Sequence, residues 1–316
     1  MFRKYPSLTN HYMEKDLRRF QDMYFNEIKE GVRWHVGEKI HGANTSFLLL
    51  PNDNPRYFSR KNDITNDMFY GAGEIYESTR ERLKWAQEYA DNYNKTVRIY
   101  GELFGAGIQK GVDYGHDKRI LFYDAVINDV TLTLLSFDMF MKEMDVADLR
   151  APTFGIFDTF EEAFNFDIER VTALHDNGDP DNWIEGIVIK PYDKVLEDEN
   201  GSLFYIKKKN EKFKEKQSVK KAKTVTNYTE EVNKWHETFL GYIHEERLES
   251  VFSKEGRFED IKEMGKYMKA VYEDTIETFY AEEDFPENNF TKAEKKYILN
   301  GNTVISTLLK QELMKA

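Results

Sequence analysis

The 316-residue chain has no cysteine. That excludes disulfides, thiolate metal sites and cysteine nucleophiles, and it suits a reducing compartment. No apolar run approaches the roughly 20 residues a membrane span needs, and the opening MFRKYPSLTNHY lacks the apolar stretch of a secretion signal. A cytoplasmic protein is expected. There is no G-x-x-x-x-G-K-[ST] loop to cradle phosphates, and GAGE at 71–74 and GAG at 105–107 are too short to be dinucleotide fingerprints. His236 and His244 lack the H-E-x-x-H spacing, and His35 with His41 has no third ligand nearby, so a zinc site is not expected.

Positive charge is also scarce in sum. The net charge is −12 and the sequence pI is about 5.2, a total that argues against a nucleic-acid partner. Its distribution argues otherwise. Nine lysines and two glutamates lie between Lys207 and Lys223, whereas from Thr229 onward acids outnumber bases nineteen to twelve. The chain is acidic with one basic stripe, and its length suits about two domains.

Strands are expected at 34–40, 45–50, 56–60, 97–103, 120–127, 131–136, 184–190 and 203–209. Helical patterns lie at 71–92, 138–148 and near 160–166. Hairpin-length gaps favour antiparallel sheets over a βαβ array, hence an α+β domain. Past the lysine stripe, Val232, Trp235, Phe239, Ile243 and Leu248 recur at helical spacing, as do Ile261, Met264, Met268, Val271 and Thr275. TKAE at 291–294 has a capping-box pattern, and NGN at 300–302 separates two further helices. The expected domains are 1–222, of antiparallel sheets with flanking helices, and 223–316, small and all-helical.

The stretches suited to chemistry sit at or near expected strand ends. EKIHGAN (38–44) places Lys39 and His41 on one strand face ahead of a glycine turn. YGELFGAG carries Glu102, and LFYDAV puts Tyr123 and Asp124 inside an apolar strand, where an acid is costly unless paired. EGIVIKPY has Glu185 and Lys190 at the two ends of a strand, and YIKKKN puts Lys207 and Lys209 on one face. Each has a plain reading as a solvated strand end or a wet lysine face. As an ordered set they suit nucleotide chemistry.

The series EKIHGAN, SRKN, YGELFG, FYDAV, EGIVIK and YIKKKN resembles the motifs of the covalent nucleotidyltransferase superfamily, most of all the bacteriophage RNA ligase 2 family. MFRKYPSLTNHY and GAGIQKGVDYG are similar to that family as well, and the likeness covers about residues 1–215. DNA ligases and capping enzymes carry an acid where His41 stands, so His41 steers the resemblance toward RNA ligases. The resemblance implies ATP and magnesium or manganese as cofactors, and an RNA substrate, as a nicked duplex, joined 3′-hydroxyl to 5′-phosphate. It implies a nucleotidyltransferase domain with Lys39 as the nucleophile of a lysyl–AMP intermediate, and Lys207 and Lys209 on the α-phosphate. Glu185 is then the metal site, directly or through water, and Asp124 a further catalytic residue. Glu38, Ile40, His41, Asn44, Arg60, Glu102, Tyr123 and Lys190 complete the ATP pocket, with Tyr123 stacked on adenine, Arg60 and Glu102 near the ribose, and the backbone at Glu38 reading the adenine edge. Only 38 residues precede Lys39, which favours ATP over NAD as the donor.

Such a chain is expected to act as a monomer without a membrane, in RNA repair, in a host cytoplasm if phage-encoded. Lys208 between the motif lysines, Leu103 after Glu102 and Ala43 depart from the family's pattern without removing a reacting group. Lys262, Lys266 and Lys269 are candidates for a basic face on the acidic tail, against the ordinary reading of a solvated helix side. A DNA ligase or capping enzyme is the alternative, followed by a non-catalytic nucleic-acid binder.

Overall fold

The structure is a computed structural model that describes residues 4–29, 31–66, 69–213 and 228–314. The chain divides into two compact units, 1–212 and 213–316. The expected boundary at 222/223, and the lysine stripe from residue 214, fall outside the described residues.

The first unit is α+β. Its strands are β1 (Thr9–Asn10), β2 (Trp34–Glu38), β3 (Ala43–Leu49), β4 (Arg56–Ser59), β5 (Val97–Phe104), β6 (Arg119–Ile127), β7 (Val130–Thr131), β8 (Thr153–Phe157), β9 (Gly186–Pro191) and β10 (Ile206–Lys209). Helices are α1 (Glu14–Met23), α2 (Phe25–Lys29), α3 (Gly73–Arg82), α4 (Lys84–Tyr93), α5 (Leu134–Glu143) and α6 (Phe160–Phe164). The strands form two five-stranded sheets, ordered β1-β10-β9-β2-β8 and β4-β3-β5-β6-β7. All pairs are antiparallel except β1 with β10.

Each sheet has its own core. Phe47, Ile99 and Phe122 of the second sheet pack with Ala86, Ala90 and Phe137 of α4 and α5. In the first, Trp34, Ile187 and Ile189 pack with Phe20 of α1, Phe160 of α6 and Phe204. Alternation along a strand therefore sends one set of side chains to a helix-covered core and leaves the other for a site.

The structure differs from the sequence pattern in places. The expected strand 131–136 stops at Thr131, because Thr133 caps α5 by accepting a hydrogen bond from Ser136 N. Helix α5 thus starts four residues before the expected 138. The expected helix 71–92 is interrupted at Leu83, which separates α3 from α4. The strand expected at 34–40 ends at Glu38. Strands β1 and β8 and helices α1 and α2 were not legible in the local pattern.

The second unit is all-helical: α7 (Glu230–Leu240), α8 (Glu245–Glu255), α9 (Met264–Glu282), α10 (Lys292–Ile298) and α11 (Asn302–Leu313). The capping box at Thr291 and Glu294 is present. Phe239, Phe252, Val271, Phe279, Ile305 and Leu309 share the core. Arg247 and Asp274 form a buried ion pair (2.7 Å), joined by Lys254.

Candidate active site

The stretch EKIHGAN is the crossover between the two sheets. Lys39 N still donates to Gly186 O (2.9 Å), extending the pairing of β2 with β9 by one residue. The chain then leaves the first sheet and enters the second at Ala43. Gly42 sits where the backbone passes so near β5 that a Cβ would overlap Leu103 O and lie 2.8 Å from Glu102 Cγ. Gly186 is the equivalent in the first sheet: its Cβ would overlap Lys208 O and lie 2.8 Å from Lys209 Cα. Glycine at both positions lets the strands carrying the charged groups close on one another.

Those groups converge on Glu185. Its Oε2 accepts from Lys39 Nζ at 2.6 Å and lies 3.2 Å from His41 Nδ1, while its Oε1 lies 3.3 Å from Lys209 Nζ. Burial alone would raise this carboxyl, but Lys39, Lys209 and His41 hold it well below the usual carboxylate range. Lys209 faces the site together with Lys207 by strand alternation. Lys208 points the other way and donates to the carbonyls of Phe164 and Phe166, both at 3.1 Å. In register, Asn10 of β1 lies beside Lys207.

A second cluster surrounds Lys190. Its ammonium lies 2.9 Å from Tyr5 Oη, 3.2 Å from Tyr123 O and 3.3 Å from Asp124 Oδ2. Asp124 Oδ2 also accepts from Tyr5 Oη at 3.1 Å. Adjacent residues of a regular strand cannot both face one side, and here a β-bulge resolves the conflict. The register of β5 and β6 shifts at Tyr100/Gly101, so that Asp124 pairs with Tyr100 and Phe122 with Gly101, leaving Tyr123 as the extra residue. Phe122 and Ala125 belong to the helix-covered core, whereas Tyr123 packs with Tyr5, Tyr100 and Tyr205. The Tyr123 hydroxyl is hydrogen-bonded to the side-chain amide of Asn44.

Asn44 is the cross-strand partner of Glu102. Burial pushes the Glu102 carboxyl up to about 8, with Glu185 adding to the rise and Lys39 and Arg60 opposing it. Those charges reach one another across the two sheets. Arg60, just past β4, donates to Ser7 Oγ at 3.3 Å. Ile40 is buried. The Glu38 side chain accepts from Thr172 Oγ1 (2.6 Å) and Ala173 N (2.9 Å), which fixes that edge of β2 to a loop. Burial raises the Glu38 carboxyl from its ordinary value.

The structure thus places Lys39, His41, Glu185 and Lys209 in one cluster, and Tyr123, Asp124, Lys190 and Asn44 in a contiguous second one, with Glu102 in electrostatic reach of Lys39 and Tyr123, and Arg60 in reach of Glu102 and Tyr123. Tyr5, Tyr205 and Tyr114 were missed. Tyr114 Oη accepts from His41 N at 2.9 Å. They come from segments already marked by resemblance (1–12, 105–115 and 205–210), but no local pattern assigned them a contact.

Among the described residues no three His, Asp or Glu side chains converge as a cage for a metal ion. The donor set fits a hard divalent cation in a different way. Glu185 is a buried ionised carboxylate, and one such ligand suffices where phosphate oxygens and waters complete the shell. In the second unit, Lys262 lies 3.9 Å from Asp260, Lys269 lies 3.8 Å from Glu273, and Lys266 sits over the Tyr267 ring, so two of the three lysines considered for a basic face are paired with acids.

Comparison with known proteins places these features in a family. The RNA ligase family model matches residues 32–239, and the model of the T4 RNA ligase 2 C-terminal region matches residues 225–307. Among solved structures, the chain is similar to a Naegleria gruberi RNA ligase with pyrophosphate, at 13% identity and a TM-score of 0.47, covering 67% of this chain and 57% of that one. A mutant of that ligase with AMP and manganese matches at 14% identity and a TM-score of 0.46, again covering 67% and 57%. This chain therefore spans less than two thirds of the length of those proteins. The family models cover well over half of the sequence, and the chain belongs to the RNA ligase family, with a C-terminal region of the T4 RNA ligase 2 type.

Proposed function

We propose that the protein is an ATP-dependent RNA ligase that acts through a Lys39–AMP intermediate, with nicked duplex RNA as its substrate. The observation that carries this reading is the convergence of Lys39, His41 and Lys209 on the buried carboxylate of Glu185. Lys39 Nζ first releases a proton to water, and the lone pair this frees attacks the α-phosphorus of ATP. The new P–N bond forms as the bond to the bridging oxygen breaks, pyrophosphate leaves with that electron pair, and the nitrogen gives up a second proton to water. Lys209, with Lys207 on the same strand, offsets the charge that accumulates on the α-phosphate oxygens. Glu185 holds Lys39 in place and is the residue that would hold magnesium or manganese, which when bound neutralises phosphate charge.

In the second step the 5′-phosphate of an RNA end attacks the same phosphorus and displaces Lys39. In the third a 3′-hydroxyl attacks that 5′-phosphate and AMP leaves. All three steps are in-line displacements at phosphorus, so fixed geometry and fixed charge do most of the work. Tyr123 is the platform for adenine, an aromatic ring that loses little freedom on binding. Asn44, Arg60 and Glu102 line the approach to the ribose.

The test is covalent labelling. Incubation with magnesium and α-labelled ATP is expected to leave label on the denatured protein, and Lys39→Ala to leave none. Label on Lys39→Ala would refute the nucleophile, and its absence from the wild type with either ATP or GTP would refute the whole reading. Sealing of nicked RNA, nicked DNA and single strands by the labelled protein then decides the substrate.

A further inference from the structure

We infer that Lys190 is a positioning residue that holds and polarises the Tyr123 ring from beneath and makes no contact with the nucleotide. The inference rests on the adenylate-pocket reading. An ammonium has three N–H donors, and those of Lys190 are matched by the Tyr5 hydroxyl, the Tyr123 carbonyl and the Asp124 carboxylate, at 2.9, 3.2 and 3.3 Å. The residue is 4% exposed, and these three contacts use every donor a phosphate would need. Its nitrogen instead lies over three rings, 5.1 Å from the Tyr123 centroid, 4.6 Å from Tyr205 and 5.6 Å from Tyr5.

Three consequences for Tyr123 follow. Its backbone is tied to Lys190 and its hydroxyl to Asn44, so the ring is fixed at both ends. Tyr5 and Tyr123 pack edge to face, their ring centroids 5.1 Å apart at 66°, which further restrains the ring. A cation against a π-face draws electron density from it, and an electron-poor ring stacks more firmly on an electron-rich purine. Asp124 offsets the cost of burying the cation, which is why the pair sits together on one side of the bulge. Lys190 thus acts on the base through Tyr123, and its effect is independent of the phosphates.

That independence is measurable. Equilibrium binding of adenosine, of ATP and of pyrophosphate is compared for the wild type and Lys190→Met, without divalent metal so that no transfer occurs, and thermal melting monitors folding. The expected result is that adenosine and ATP weaken by the same factor, about tenfold, while pyrophosphate, which has no base, binds as it does to the wild type; weakening of pyrophosphate as well would mean a merely structural role and overturn the inference. Weakening of ATP with adenosine unaffected would mean that Lys190 reaches phosphate, and no weakening of either would mean that the cation does not act on the platform. Either result overturns the inference. Because Lys190→Met leaves Asp124 buried without its partner, the double variant Asp124→Asn with Lys190→Met is measured too, with the same equal loss expected and the same results refuting it. A folded wild type that bound neither adenosine nor ATP would overturn the pocket reading and this inference with it.

Discussion

Replacing Gly186 by alanine perturbs the site without touching any charged group. A Cβ at this position would overlap Lys208 O and lie 2.8 Å from Lys209 Cα. Carbon atoms rest at about 3.5–4.0 Å, so β10 must move by about 1 Å relative to β9, and Lys207 and Lys209 move with it. Overpacking of this kind costs about 1–3 kcal/mol, or a fall in melting temperature of about 2–12 °C for a unit of this size. Misplacement of catalytic groups by about 1 Å lowers rate by about 100-fold. The expected result for Gly186→Ala is thus a folded protein that binds ATP but forms Lys39–AMP about 100 times more slowly. Single-turnover labelling from α-labelled ATP, run well below the melting point, measures the rate. Gly265→Ala serves as the control, since a Cβ there meets nothing within 4 Å. A Gly186→Ala protein that labelled at the wild-type rate would refute the coupling of strand spacing to catalysis, and unchanged melting as well would refute the close approach itself.

Further outcomes follow from the alternation of β10 and from the buried carboxyls. Lys209→Ala is expected to slow labelling by about 100-fold, whereas Lys208→Ala, whose ammonium bonds carbonyls on the opposite face, lowers melting while changing the rate by less than about threefold. Equal effects would show that the face assignment is wrong. Glu102 has its carboxyl raised to about 8 by burial, so the folded state holds a proton that the unfolded state releases above its ordinary value, and stability falls as pH rises across that interval. Glu102→Gln should therefore melt above the wild type at pH 8 and level with it near pH 4, and a constant offset across that range would contradict this. In the helical unit, burial works against the Asp274 charge, but Lys254 and Arg247 hold its carboxyl down at about 2. That depression contributes about 2 kcal/mol, fully present above the ordinary aspartate value and lost as pH falls through the folded one. Denaturant melts of Asp274→Asn should show a flatter acid limb than the wild type, and parallel limbs would rule the contribution out.

Much of the site was legible because nucleotide chemistry leaves charged residues at the ends of apolar strands, where periodicity makes them conspicuous. Lys39, Glu185 and Lys209 are of this kind, and alternation alone separated Lys208 from its neighbours. What stayed hidden depends on the register between distant strands. The bulge that turns both Tyr123 and Asp124 away from the helix-covered core has no signature in LFYDAV, because it is set by pairing with Tyr100 and Gly101. Tyr5 and Tyr205 read as ordinary aromatics until β1 and β10 bring them to Lys190. The strand expected at 131–136 failed for a local reason, since Thr133 and the leucines after it fit a strand as well as a capped helix, and the packing of Leu134 and Phe137 decided between them.

The parallel pairing of β1 with β10 has a consequence in time. The two strands are separated by roughly 200 residues of chain, and a ribosome adds about 5–20 residues each second. Some 10–40 s therefore pass between synthesis of Thr9 and synthesis of its partner Ile206. Through that interval the segment carrying Tyr5 has no strand to lie on, and Lys207 and Lys209 do not yet exist, since even β9 is made only near its end. Lys39 is made early in the chain's life, but β10, whose Lys209 shares Glu185 with it, is the last strand of its sheet to be translated. The cluster of Lys39, His41, Glu185 and Lys209 cannot close until the whole first unit has left the ribosome.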